Sequence, residues 1–435
     1  MFLFFRSVAV LCLFLTGGLP GLAQNDTVKM AESFAVGKRS HVDLRVDLSG
    51  ELSAPGKAGT TIELSGTAVL QYDERVLPAD EPGTGKVLRI YRAVDFSRNV
   101  AGETQKQEIR LAVRRMIVLR SAEGKKAPFS PDGPLTFGEI DAVRVDLYSP
   151  VLVAGLLPTK AVRPGETWPA SDAATLDLTG LDSLDGGKLT VEYIGLVRIG
   201  GRDRYRLAIT GSVKGVSEDG PTRQAIDATA YFDPDENRLT YLSLKGTQEL
   251  LDGTGKVVGK LTGRFTMNRT ATQELGDDSV ARLDARLTSE NTLLLYDNPD
   301  LGIRFVHPRH WRVGAVQGKQ VTIEDPKGGG GILVTVESAD RVPTPAAYQK
   351  EAVAFIESQK GKVFARGDVG RKDGFDRFPV DAELNGEKCR MEYAVRKDAT
   401  GGITVAARIP ASRVEIMVQD VNRILKDMSL TKAIK

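Results

Sequence analysis

Val42-Asp-Leu-Arg-Val-Asp-Leu48 alternates apolar and polar residues without a break, as a strand with one wet face must. The same alternation predicts strands at 61–72, 85–94, 108–119, 188–199, 204–213, 225–232, 239–248 and 259–269. Turn-forming clusters separate them, among them Gly200-Gly201, Glu218-Asp-Gly-Pro221, Asp233-Pro-Asp-Glu-Asn237 and Asp252-Gly-Thr-Gly255. Long helical periodicity is missing from this half. Residues 24–271 therefore read as an all-β, antiparallel domain: a curved sheet, a sandwich or an open barrel. Val46-Asp-Leu-Ser-Gly-Glu-Leu52 echoes Leu207-Ala-Ile-Thr-Gly-Ser-Val213, each with a strand following. Two related β units account for the echo, and so does ordinary strand–turn–strand composition.

Residues 272–292 are polar and rich in Asp, Arg and Ser, which predicts a solvated linker. From 293 to 435 the grammar changes to mixed α and β. Strands are predicted at 320–325, 331–337, 363–368, 377–384, 387–396 and 403–409. Thr344 is an N-cap with Pro345 at the first helical position, and Gly361 is the stop. Ser412-Arg-Val-Glu415 spells a capping box for a last helix, whose buried stripe is Val414, Met417, Val418, Val421, Ile424, Leu425 and Met428.

The start of the chain carries a different message. One cation, Arg6, precedes the apolar run Ser7–Leu15, then the breakers Thr16-Gly-Gly-Leu-Pro20, then Gly21-Leu-Ala23. That layout predicts a secretory signal peptide over 1–23, cleaved before Gln24, and it is too short to span a bilayer. An exported protein, secreted or periplasmic, works without a nucleotide pool, which removes most enzyme classes. Lys and Arg number 59 against 57 Asp and Glu, so no global field draws the chain to nucleic acid or to an anionic membrane. Of the two cysteines, Cys12 leaves with the signal, so no intramolecular disulfide is expected. Because Cys12 lies inside the apolar run and not at the cleavage point, no lipid anchor is expected either. The expectation is a soluble protein with no stable membrane anchor.

Two resemblances follow from short motifs. Gly155-Leu-Leu-Pro-Thr-Lys-Ala-Val-Arg-Pro-Gly-Glu-Thr-Trp168, with Phe232-Asp-Pro-Asp-Glu-Asn-Arg-Leu-Thr-Tyr-Leu242, resembles a group of exported, β-rich bacterial proteins of unknown function. It implies a fold type and no activity. Asn298-Pro-Asp-Leu-Gly-Ile-Arg-Phe-Val-His-Pro-Arg-His-Trp311, a strand ending in an aromatic-Pro-x-x-Trp turn, resembles the PsbP-like group of α/β/α sandwich domains. Members usually carry Tyr-Pro before that Trp, and His307 stands here in the Tyr position. The resemblance implies a C-terminal α+β, PsbP-like sandwich.

Candidate chemistry is sparse. Gly83-Thr-Gly-Lys-Val and Gly253-Thr-Gly-Lys-Val lack the Ser/Thr and the helix a phosphate loop needs, so they read as hairpin turns; Gly328–Gly331 fails likewise. Asp233, Asp235 and Asn237 have calcium-loop spacing, but Arg238 replaces the required Gly and Leu244 the closing Glu. His307 and His310 are two imidazoles without a third ligand in the neighbouring sequence, and His307 shares a strand face with Ile303 and Phe305. Cys389 alternates in register with Met391, Tyr393 and Val395, which predicts a buried hydrophobe and not a nucleophile. Arg110, Arg114, Arg115 and Arg120 read as a solvated sheet face, with no aromatic platform for single-stranded nucleic acid. No Gly-x-Ser-x-Gly or His-Glu-x-x-His occurs.

These readings give no catalytic, cofactor or metal residue and no cofactor. The expected function is a non-catalytic binding or assembly module of the bacterial envelope, its partner an envelope protein. The alternative is a periplasmic carrier of a lipid or other apolar small molecule. A hydrolase with an unrecognised carboxylate pair comes third. A cavity lined by strand-face Leu, Val and Ile separates the first two readings: open in a carrier, filled in a plain module.

Overall fold

The computed structural model describes residues 27–54, 60–217 and 220–434. The expected signal peptide lies outside the described residues. In the first half the chain forms β1 (Arg39–Ser53), β2 (Thr61–Val76), β3 (Gly85–Val100), β4 (Glu103–Gln107), β5 (Arg115–Arg120), β6 (Lys126–Phe129) and β7 (Leu135–Thr136). A helical strap follows: α1 (Phe137–Val143), α2 (Ser149–Leu156), the short β8 (Thr167–Pro169) and α3 (Asp172–Thr179). Then come β9 (Ser183–Ile199), β10 (Arg202–Ser217), β11 (Gly220–Asp233), β12 (Arg238–Leu251) and β13 (Val257–Thr270).

These strands build one antiparallel sheet in the order β6-β5-β3-β2-β1-β13-β12-β11-β10-β9-β8, with β4 beside β3. β1 joins the two wings, pairing β2 on one side and β13 on the other. The sheet is open, its strand order ending at β6 and β8 without closing. The expected antiparallel β region is found, with three short helices on its apolar face that the sequence pattern did not show. α1 packs on β3 and α3 on β9, strands seven places apart in the sheet. At about 4.8 Å per strand a flat sheet would hold those contacts about 34 Å apart. The sheet therefore curls around the strap, and the main core lies between them, from Leu44, Leu70 and Tyr91 on one wing to Ile209, Val191 and Tyr193 on the other.

Local chemistry explains the strap. Thr136 and Glu139 close a reciprocal capping box on α1, Ser171 Oγ accepts the Ala174 N–H at the start of α3, and Gly180 ends α3 at φ 66°. The strand expected over 108–119 is broken: Leu111–Val113 is a 3-10 turn and β5 starts only at Arg115. The cause is Glu139, whose carboxylate takes the Arg110 backbone N–H and guanidinium and pins the chain to α1.

Residues 272–292 contain one 3-10 turn, Asp277–Ser279. Leu275 is buried with Leu77, Leu88, Ile117 and Phe129, and Arg75 donates to its carbonyl at 2.7 Å. The polar stretch thus lies along the sheet it leaves.

The second half comprises β14 (Leu294–Asn298), β15 (Ile303–His307), β16 (Arg312–Gln317), β17 (Gln320–Asp325), β18 (Gly330–Glu337), α4 (Pro345–Ser358), β19 (Lys362–Arg366), β20 (Gly370–Lys372), β21 (Phe375–Leu384), β22 (Glu387–Asp398), β23 (Gly401–Pro410), α5 (Val414–Lys426) and β24 (Ser429–Leu430). An antiparallel sheet runs β16-β17-β18-β23-β22-β21-β19. Alternate residues serve opposite cores: Ile403, Val405 and Ala407 meet α5, whereas Phe378, Val380, Met391 and Tyr393 meet α4. The layers are helix, sheet, helix. α4 begins as expected, with Thr344 Oγ1 accepting the Ala347 N–H. The expected capping box at Ser412 does not form: a 3-10 turn covers Ala411–Arg413, and α5 starts at Val414 with no side-chain cap. Its core contacts carry it, since Met417, Val421, Ile424 and Leu425 are all buried.

The two halves are joined by more than the chain. β14 pairs in parallel with β7, placing a strand of the second half beside the strap of the first.

Candidate ligand-binding site

Under the strap, a row of sheet positions withholds its side chains. Reading across the register, Gly66, Leu48, Gly263, Gly246, Ile226 and Gly211 are neighbours on successive strands. Glycine inside a strand costs stability and marks a close approach or a space. Of these glycines, Gly246 and Gly263 border a pocket of about 310 Å3 between sheet and strap. Val46, Leu48, Ile226, Leu244, Leu261 and Phe265 line the sheet side, and Val145, Leu147 and Leu178 the strap side. Gln224 ties the far end, its Nε2 donating to the Thr179 carbonyl at 2.9 Å. At about 30 Å3 per water-sized group, the space holds about ten.

One end of the cavity is charged. Arg89 is fully buried, pairing with Glu74 at 2.8 Å and Asp146 at 3.1 Å while lying 4.6 Å over the Tyr72 ring. Tyr91 donates its hydroxyl to Asp146. Lys126 reaches Asp177 and the Asp146 carbonyl, both at 3.0 Å, and Asp177 also accepts the Tyr148 N–H. Burial pushes the Asp146 carboxyl up, with Arg89 pulling the other way. Among the described residues Asp146 Oδ1 and Tyr72 Oη have no hydrogen-bond partner. Such a network fixes the strap to β3 as long as it stays whole, and an orphaned atom in it invites a guest.

Beyond this network opens a cleft of about 880 Å3 between the two halves of the protein. Arg89, Tyr91, Lys126, Ile140, Arg144 and Asp146 form one wall; Leu295, Asp297, His307, Arg309, Trp311 and Arg312 form the other. Lys126, Arg144 and Asp146 belong to the walls of both spaces. Arg309 donates to the Thr292 carbonyl at 2.7 Å and to the Pro128 carbonyl at 2.5 Å, so it also ties the halves together. Burial pulls its guanidinium down to about 10. On the sheet's other face, Ser49, Ser65, Thr67, Asn99, Thr247 and Thr262 border an open, hydroxyl-rich groove of about 800 Å3. It has no buried charge.

Apart from His307 and Trp311, the residues singled out from the sequence fall elsewhere. Lys86 is buried against Asp80 at 2.6 Å, and Asp252 accepts the Thr254 and Lys256 N–H groups in its turn. Asp233 is buried, pairs with Arg204 at 2.9 Å and caps the turn to Arg238. Arg110 and Arg115 pair with Glu139 and Asp132. Arg114 donates to the Arg92 carbonyl, and Arg120 is buried. Cys389 is buried in the α4 core, where burial pushes its thiol up. His307 is buried beside Phe305, donating Nδ1–H to the Pro308 carbonyl at 3.0 Å, and burial lowers its pKa. His310 is exposed and bonds Asp420 instead. No cluster of three metal-ligating side chains occurs among the described residues. Of the cleft and cavity residues, only His307 and Trp311 were singled out from the sequence. The interrupting glycines in otherwise alternating strands were the signal available for the rest.

No family model and no curated protein matches the chain. Among solved structures, cyanobacterial PsbP (CyanoP) from Synechocystis sp. PCC 6803 is 11% identical, covering 34% of this chain and 96% of that one at a TM-score of 0.25. A lipovitellin structure described by its lipid–protein interactions is 8% identical, covering 56% and 26% at a TM-score of 0.31. DynF of the dynemicin pathway in Micromonospora chersina is 11% identical, covering 59% and 95% at 0.15. Similarity at this level carries no argument about function. Among the described residues no helix is long and apolar enough to cross a membrane.

Proposed function

We propose that this chain is an exported, non-catalytic carrier of an apolar small molecule. The observation that supports the reading is the apolar-walled pocket of about 310 Å3 between sheet and strap, with Gly246 and Gly263 in its floor. A recess lined by strand-face Leu, Val, Ile and Phe is the form that a binding site for an apolar molecule takes. The second half is read on the same footing as a PsbP-like domain, supported by its helix–sheet–helix layers and by the buried Trp311 after the Pro308 turn. Export rests on the first 23 residues, and N-terminal sequencing of periplasmic or secreted material is expected to begin at Gln24. Full-length protein held in the cytoplasm would refute it.

The carrier reading is tested with N-phenyl-1-naphthylamine, an apolar dye that brightens on leaving water. The mature chain is expected to bind it saturably. Gly263→Val is the informative variant. A Cβ at Gly263 would meet Leu48 Cδ1 at 3.5 Å, an ordinary contact, so the fold tolerates it while the branched side chain occupies the cavity. Binding is expected to weaken by about tenfold, the worth of one or two excluded methylene contacts. Absence of binding by the wild type, or equal binding by Gly263→Val, rejects the reading.

A further inference from the structure

We infer that the cavity and the interdomain cleft form one site for a single-chain amphiphile, its tail on the sheet and its anionic head on Arg309. The inference rests on the carrier reading and goes further, because it assigns the chemistry of the ligand. Its first support is adjacency: Lys126, Arg144 and Asp146 line both spaces, so their side chains are the one wall between a chain lying on Leu244 and Ile226 and the cleft. The second is charge. The cleft's basic side chains include Arg89, Lys126 and Arg309. Arg89 and Lys126 are already neutralised by Glu74, Asp146 and Asp177.

Arg309 differs from them. Backbone carbonyls hold its Nε and Nη2, and among the described residues no carboxylate pairs with it. The carbonyls fix the plane of the guanidinium without cancelling its charge. A half-buried, oriented guanidinium is a receptor for a carboxylate or phosphate oxygen, and charge-assisted bonds of this kind are the strong ones. The burial that lowers the Arg309 pKa agrees, since a bound anion would offset the cost of desolvating a cation that stays charged at neutral pH. The shared chemistry is thus an anionic oxygen head on one alkyl chain. A fatty carboxylate and an alkyl phosphate both satisfy it.

Isothermal titration of the mature full-length chain with laurate, dodecyl phosphate and dodecanol tests this, the three probes sharing one tail. At least one anionic probe is expected to bind about tenfold or more tightly than dodecanol. Whichever binds tighter identifies the head. Raising ionic strength about tenfold is expected to weaken the anionic probe and leave dodecanol unchanged. Arg309→Met is expected to bring the anionic probe down to the dodecanol level, and Arg309→Lys to keep most of the difference. Arg309 also ties the two halves, so the salt dependence of the wild type decides the matter should Arg309→Met fail to fold. Equal affinities for all three probes, or no salt effect, overturn the assignment of the head and leave the carrier reading standing. Failure of every probe, dodecanol included, overturns the carrier reading itself.

Discussion

Trp311→Ala is expected to cost the second half of the protein about 3–5 kcal/mol, the range for truncating a buried aromatic. The indole is 1% exposed and stands among Ile303, Phe305, Ile332, Met417 and Val421, where β15, β18 and α5 converge. Gly330 lies so close that a Cβ there would come within 3.2 Å of the ring and 1.9 Å of Met417. A space walled by backbone on one side cannot collapse to fill the void. The indole Nε1 also donates to Asp420 at 3.1 Å, so truncation takes a partner from a nearly buried carboxylate. A domain holds about 5–15 kcal/mol in total, so the loss is a large share of its stability. The chain has two tryptophans, and Trp168 lies in the first half, where it donates to the Leu156 carbonyl. In the variant its fluorescence reports the first half alone, while hydrogen exchange of α5 reports the second. Fast exchange along Val414–Lys426 with an unchanged Trp168 transition is the expected result. Protection of α5 equal to that of the wild type would refute the anchoring role of Trp311.

The long strands were legible because each has one dry face and one wet face. In β11, Thr222, Gln224, Ile226, Ala228 and Ala230 are buried while Arg223, Ala225, Asp227 and Thr229 are not, the strict alternation that the sequence shows. The strap was not legible, for a physical reason. α2, Ser-Pro-Val-Leu-Val-Ala-Gly-Leu, is apolar on nearly every side, so no helical period stands out. α1 and α3 are seven and eight residues long, too short for a period to show. Thr136-Phe-Gly-Glu139 was the usable signal, a capping box at the start of α1. At Ser412 the same four-residue pattern misled, because the backbone there takes a 3-10 turn before α5 begins.

The site was less legible than the fold, because its parts are distant in sequence. Leu48, Ile226, Gly246 and Gly263 meet only through the register of β1, β11, β12 and β13. Asp146 arrives from the strap and Lys126 from the edge strand β6. Arg309 looked like a spacer in the Pro-x-x-Trp turn, and only β14 pairing with β7 brings it to the Pro128 carbonyl. Pairing of distant segments is the information that a local pattern lacks.

Glu32→Ala is expected to destabilise the first half by about 3–5 kcal/mol, the cost of removing one partner of a buried ion pair. Glu32 precedes the sheet, and its side chain and that of Arg269 are both fully buried. The pair is two-pronged, Arg269 Nη2 to Oε1 at 3.0 Å and Nη1 to Oε2 at 3.1 Å, and Oε2 also accepts the Leu239 N–H at 2.8 Å. Arg238 lies beside it, donating to Ser40, the Thr270 carbonyl and the Arg39 carbonyl; burial lowers its pKa, and the neighbouring Arg269 lowers it further. Without Glu32 the two guanidinium groups would face each other without the carboxylate that Arg269 grips, and the segment holding Met30 and Phe34 would lose its clasp. Removing both charges separates the orphaned cation from the lost pair. Glu32→Met with Arg269→Met leaves no unpaired guanidinium at that position, so it is expected to cost less than Glu32→Ala alone. Urea unfolding followed by Trp168 fluorescence, in a Trp311→Phe background, measures the order of the three midpoints. A double variant less stable than Glu32→Ala would show that the pair contributes net stability in itself, and that the orphaned guanidinium is not the source of the loss.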